Sequence, residues 1–208
     1  RDKSGENFGA GTIIDSRAGN TIVLTCGHIF RDLDSSSVIE VDVFSTGKPV
    51  TYVGKLVKFD IESEVGLISI APDFPLPVCK VARAGYQLRV DQPVESIGCG
   101  SGSPPKSYNI KITALNLYLG ADNIECNGVP KQGRSGGGLF TQDGQVIGIC
   151  MAADEKKNRG LYSSLKPIHD MLDKCQLTRL YRPEADGAAT RSITAKAASE
   201  DTGEEFSA

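Results

Sequence analysis

Ser135 lies within the run Gly133-Arg134-Ser135-Gly136-Gly137, and far upstream His28 closes the run Thr25-Cys26-Gly27-His28. A serine hydroxyl is a poor nucleophile until a neighbouring imidazole can take its proton. Glycines on both sides let the chain turn sharply, expose the hydroxyl and aim free N–H groups at a reacting oxygen. His28 follows the apolar run Thr21-Ile22-Val23-Leu24-Thr25, so it sits where a strand passes into a loop. Only one other histidine exists, His169, and it falls on a helical pattern with an expected solvated face. A serine in a glycine nest with a loop-end histidine points to acyl-transfer chemistry.

The elements that must hold these groups are short strands separated by turn signals. Thr12 to Asp15 and Thr21 to Thr25 flank Ser16-Arg17-Ala18-Gly19-Asn20, which reads as a hairpin with a five-residue connection. Val38 to Phe44, a turn at Ser45 to Lys48, Val50 to Phe59 and Val65 to Ile70 complete a first set. A linker near residues 71–90 follows, with three prolines between Pro72 and Pro77. The second set is Val94 to Cys99, Tyr108 to Leu119, Asn123 to Cys126, Gly138 to Thr141, Gln145 to Met151 and Leu161 to Ser163. Asp143-Gly144 is a strong hairpin signal within it. Two sets of five or six strands predict an all-β double barrel or sandwich. One helix is predicted over Leu165 to Gln176, with Ser164 as N-cap and Leu165, Ile168, Met171, Leu172 and Cys175 on one face.

The chain has 208 residues, enough to bury a core, and a net charge of −3. Six of its acids and only two of its bases lie from Pro183 onward, so the body is close to neutral. A near-neutral body without a basic cluster offers no electrostatic footprint for nucleic acid or an anionic membrane. No apolar run approaches the ~20 residues that a membrane helix needs. Residues 183–208 are rich in Ala, Ser, Thr, Gly and acids, and read as a disordered acidic tail. The six cysteines include no C-x-x-C pair, and with two histidines a zinc site is not expected. Cys99 and Cys150 end apolar runs and read as small buried hydrophobes, although an even count also permits disulfides. The first residue, Arg1, suggests a processed form or an excised fragment.

Five pieces occur in order: Thr25-Cys26-Gly27-His28, Glu64-Val65-Gly66-Leu67-Ile68, Gly133 to Gly137, Gln145-Val146-Ile147-Gly148-Ile149 and Gly160-Leu161-Tyr162-Ser163. Together they resemble the chymotrypsin-fold serine peptidases, in particular the bacterial trypsin-like branch that includes the HtrA proteases, from about Gly9 to Leu177. The resemblance implies two six-stranded Greek-key barrels with a C-terminal helix, a trypsin-like peptidase domain over residues 1–182 and an active site between the barrels. It implies an endopeptidase acting on polypeptides without metal or cofactor, exported from a bacterial cell. It also implies Ser135 as nucleophile, His28 as general base, and an oxyanion hole of the Gly133 and Ser135 N–H groups. The acid falls on Glu64, one methylene longer than the family's usual Asp, with Asp60 as the competing candidate.

Other departures carry consequences. Arg134 precedes the nucleophile where the digestive branch has an Asp that pairs with a freshly cut N-terminus, so that mode of activation is not expected. Ile29 replaces a half-cystine, leaving the histidine loop unstapled. By the same resemblance, Val129 is expected at the base of the primary specificity pocket, with Met151, Ala152 and Ala153 as walls and Tyr162 either behind it or in the core. An apolar base with small walls suits a small or aliphatic side chain, since an uncompensated charge would be costly to bury there. HtrA relatives usually carry a peptide-binding PDZ domain, for which residues 176–208 leave no room. Two alternatives stand beside the peptidase: an inactive module binding peptides in the same cleft, and an esterase using the same triad.

Overall fold

The computed structural model describes residues 8–34, 37–44, 48–100 and 103–182. The expected acidic tail and most of the turn expected at Ser45 to Lys48 lie outside these residues.

In the first half, β1 (Thr12–Arg17), β2 (Asn20–Thr25), β3 (Ile39–Val43), β4 (Val50–Asp60) and β5 (Val65–Ile70) form one antiparallel sheet in the order β1-β2-β5-β4-β3. Successive side chains of a strand point to opposite faces. Ile22 and Leu24 of β2, with Val65 and Leu67 of β5, enter the main core, whereas Val23, Ile68 and Ile70 enter a smaller cluster with Phe30, Val43 and Leu76. Both faces of these two strands are therefore buried, which is why they read as continuous apolar runs rather than alternating ones. The first hairpin is tighter than expected. Arg17 pairs with Asn20, and Ser16 Oγ meets Thr21 Oγ1 at 2.5 Å, so only Ala18 and Gly19 turn.

In the second half, β6 (Pro93–Gly100), β7 (Ser103–Leu115), β8 (Asn123–Asn127), β9 (Gly138–Phe140), β10 (Val146–Asp154) and β11 (Arg159–Ser163) close into a six-stranded barrel in the order β10-β11-β8-β7-β6-β9. This is the expected all-β architecture, with one difference. Among the described residues the first half has five strands rather than six, and its order is that of the second half without the initial strand. The chain after β5 does not supply the missing member. Pro72, Pro75 and Pro77 have no N–H to donate, and this segment bonds the β1–β2 hairpin only at separated points, such as Gly19 N–H to Pro72 O and Cys79 N–H to Ile13 O.

Helix α1 (Leu165–Lys174) buries Leu165, Ile168, Met171 and Leu172 against the main core. It ends two residues before the expected limit because Gln176 takes a left-handed conformation (φ +59°) and Leu177 N–H reaches back to Leu172 O. Ser164 occupies the N-cap position, but its hydroxyl makes no capping bond. His169 is half-buried rather than solvated: it stacks on Tyr181 at 3.8 Å, and its Nε2 lies 2.9 Å from Ala82 O. The six cysteines are all free thiols, with Cys150 buried and Cys99 partly so.

Candidate active site

His28 opens a short 3₁₀ turn, His28–Phe30, directly after β2, whose neighbours β1 and β5 fix its position. Across from it, residues 61–64 turn the chain from β4 into β5. Glu64 stands at the end of that turn with φ +56°, a conformation costing about 1–3 kcal/mol for a residue with a side chain. The reversal aims its carboxylate at His28. Glu64 Oε2 lies 2.8 Å from Nδ1 of the ring and accepts the His28 backbone N–H at 3.0 Å. Asp60 is engaged elsewhere: its Oδ1 accepts the Glu62 and Ser63 N–H groups, and its Oδ2 is 3.6 Å from Lys174 Nζ. A further tie comes from the second half, where Ser163 of β11 donates its hydroxyl to Ser63 O at 2.6 Å.

The serine loop joins β8 to β9. Ser135 O accepts the Ala10 N–H at 2.7 Å, and Ala10 O accepts the Thr25 hydroxyl at 2.7 Å, so Ala10 bridges the serine loop to the strand leading into His28. Gly136 (φ +85°) lies against the same strand so closely that a Cβ there would fall 2.1 Å from Thr25 Oγ1; only glycine fits. Gly133 is also left-handed, at φ +88°. Gly136 and Gly137 N–H bond to Cys150 O and Arg134 O, and Arg134 N–H bonds to Lys131 O. The Gly133 and Ser135 N–H groups have no acceptor among the described residues. Two free donors flanking one residue can stabilise an oxyanion.

The Nε2 edge of His28 faces Cys26, whose buried Sγ is 3.7 Å away, and no bond between Nε2 and the Ser135 hydroxyl is present among the described residues. Catalytic hydrogen bonds often tighten only when substrate binds. The Cys26 sulfur and the Glu64 carboxylate both favour the imidazolium and, against partial burial, push His28 from 6.5 up to about 10. Cys26, His28 and Glu64 also have donor atoms within 4.8 Å of one another, with His28 engaging each of the other two. The part played by Cys26 was not foreseen from sequence; the signal was its place two residues before the histidine.

The expected pocket residues flank β11. Met151, Ala152 and Ala153 lie on β10, where Ala153 pairs with Gly160. Pro130 packs on Gly160, where a Cβ would lie 3.0 Å from the proline ring, and Val129, its neighbour in the chain, is exposed. Tyr162 is buried in the core instead, with its hydroxyl donating to Ser96 Oγ at 3.0 Å.

Residues 9–149 match the family model described as a trypsin-like peptidase domain. The sequence is 32% identical over 171 residues to "Putative protease Do-like 14" of Arabidopsis thaliana, covering 72% of this chain and 37% of that protein. It is 31% identical over 150 residues to "Periplasmic serine endoprotease DegP" of Escherichia coli K12, covering 70% of this chain and 30% of that one. The chain thus spans about a third of the length of these relatives. Among solved structures, "HtrA-type protease AlgW with decapeptide" aligns with a TM-score of 0.67 at 21% identity, over 81% of this chain and 51% of the other. The active form of the Rv3671c protease from M. tuberculosis aligns at 0.62 and 20% identity, over 80% and 73%. At these identities the structural likeness concerns the fold.

Proposed function

The chain belongs to the trypsin-like peptidase family, and on that premise we propose that it is a serine endopeptidase acting on polypeptides through an acyl-enzyme. The observation that carries the reading is the contact of 2.8 Å between His28 Nδ1 and Glu64 Oε2, reinforced by the backbone N–H that the same oxygen accepts. The carboxylate fixes the tautomer with the proton on Nδ1, which leaves Nε2 free to accept the Ser135 proton. The sulfur contact at Nε2 is long and weak, and an incoming hydroxyl replaces it. Ser135 Oγ then attacks the scissile carbonyl, the Gly133 and Ser135 N–H groups receive the developing oxyanion, and the imidazolium protonates the leaving amine. Water repeats the sequence on the acyl-enzyme. Incubation with unfolded casein tests this: the reading requires new peptide termini, whereas stable binding of intact chains would favour a peptide-binding module. Export is part of the same reading, supported by bacterial relatives named as periplasmic; its test is fractionation of the source cell.

A base must be neutral to accept a proton, so kcat/KM should rise with pH through the His28 pKa. Because both partners raise that pKa, the limb should lie on the alkaline side of the ~7 typical of a histidine base. Cys26→Ala removes one of them and should move the limb to lower pH. A limb unchanged by the substitution would remove the sulfur from the account.

The primary pocket is assigned to Val129, Met151, Ala152 and Ala153, with preference for a small or aliphatic side chain before the cleaved bond. Val129→Asp should raise the preference for Lys or Arg there by about tenfold or more, as a close interfacial charge pair of ~1.5 kcal/mol would do. An unchanged substrate-library profile in a folded, active variant would sink the assignment.

A further inference from the structure

Arg134 lies between the two free donors, and it is 3% exposed. Its Nη1 donates to Gly98 O at 3.1 Å and Lys106 O at 3.0 Å, and its Nη2 to Ser96 O at 2.7 Å and Ser96 Oγ at 3.1 Å. The guanidinium carbon sits 4.6 Å from the centre of the Tyr108 ring. Ser96 pairs with Tyr108, and Gly98 with Lys106, so the guanidinium closes over one stretch of the β6–β7 ladder. Among the described residues no carboxylate pairs with this buried cation. Its charge is met by carbonyl dipoles, a hydroxyl and a ring face, an arrangement that suits the flat five-donor fork of arginine and not the point charge of lysine.

A buried charge is costly unless its donors are satisfied, so removing these bonds frees a side chain that the site cannot otherwise hold. The backbone of the same residue is also clamped, with its N–H on Lys131 O and its carbonyl accepting Gly137 N–H. Those two bonds stay within the loop. Among the described residues the guanidinium makes the only hydrogen bonds from residues 131–137 to β6 and β7, and Ser96 links it onward to Tyr162 of β11. Gly133, just before it, is free to rotate its N–H away from the site. We infer that Arg134 is a positioning residue: its buried guanidinium holds the Gly133 and Ser135 N–H groups aligned in the resting protein by anchoring their loop to the β6–β7 ladder.

The inference rests on the proposed reaction for its kinetic readout only. Arg134→Met keeps the length of the stem and removes the donors, whereas Arg134→Lys keeps the charge and loses the fork. In Arg134→Met, kcat on a peptide substrate should fall by roughly 10²–10³, the effect of losing one oxyanion donor, with KM within about threefold. Hydrogen exchange should quicken at the amides of residues 131–137 and stay unchanged in β2 and β5. Arg134→Lys should recover part of kcat. Ser96→Ala, which deletes one of the guanidinium's four acceptors and also the partner of the Tyr162 hydroxyl, should give the same pattern at smaller amplitude and serves if Arg134→Met does not fold. A folded variant with parental kcat and parental exchange in 131–137 overturns the inference, as does a loss confined to KM. If the parent itself fails to cleave peptides, the proposed reaction falls, and the exchange measurement alone decides for or against Arg134 as the loop's anchor.

Discussion

Glu64→Gln should lower kcat by about 10⁴, the loss that an isosteric amide causes at the triad acid of a serine protease. The amide can still accept the His28 backbone N–H, so the loop should keep its place. What changes is the contact at Nδ1, where an amide no longer holds the neutral ring in one tautomer or stabilises the imidazolium. Asp60→Asn should leave kcat within about threefold, because the Asn oxygen can still cap the 60–63 turn and only the ion pair with Lys174 is lost, an exposed pair of ~0–1 kcal/mol. Glu64→Asp is the sharper probe. Its backbone accepts the left-handed conformation at least as well, but its carboxylate is one methylene short, so activity between the parent and Glu64→Gln is expected. A crippled Asp60→Asn with a healthy Glu64→Gln would move the acid by four residues and leave the peptidase reading standing. Equal health in both would make the acid dispensable.

Ser135→Ala should lower kcat by about 10⁶, the size of loss when the nucleophile of a serine protease is removed alone. The fold should hardly notice. Ser135 is partly exposed, and its hydroxyl has no hydrogen-bond partner among the described residues, so the cost should stay within ~0.5 kcal/mol and the melting temperature within about 2 °C. Casein cleavage at the parental rate by the folded variant would show that Ser135 is not the nucleophile.

The parts of this molecule legible in the sequence are those written locally. The buried run of β2, the helix face of Ile168, Met171 and Leu172, and the Asp143-Gly144 turn follow from patterns a few residues wide. The proposed order of histidine, acid and serine rests on short motifs. Geometry with no local signature was not legible. Glu64 and Asp60 look alike in a loop, and what separates them is the left-handed backbone that aims one carboxylate at His28 while turn N–H groups occupy the other. Arg134 reads as an oddity before the serine; its partners Ser96, Gly98 and Lys106 are 28 to 38 residues away, and their carbonyls are invisible in a string of residue types. Tyr162 could face the pocket or the core until the register of β11 placed it with Ser96. The helix end missed by two residues because nothing in Gln176 itself announces a positive φ.

Activation of Ser135 by His28 for acyl transfer can be read out by labelling with a fluorophosphonate followed by mass mapping of the adduct. A hydroxyl without a working base and oxyanion donors reacts too slowly to be labelled. One stoichiometric adduct is expected on Ser135 in the parent, with none in Ser135→Ala and strongly slowed formation in Glu64→Gln. A folded parent that takes no label, or takes it at another residue, would contradict that activation.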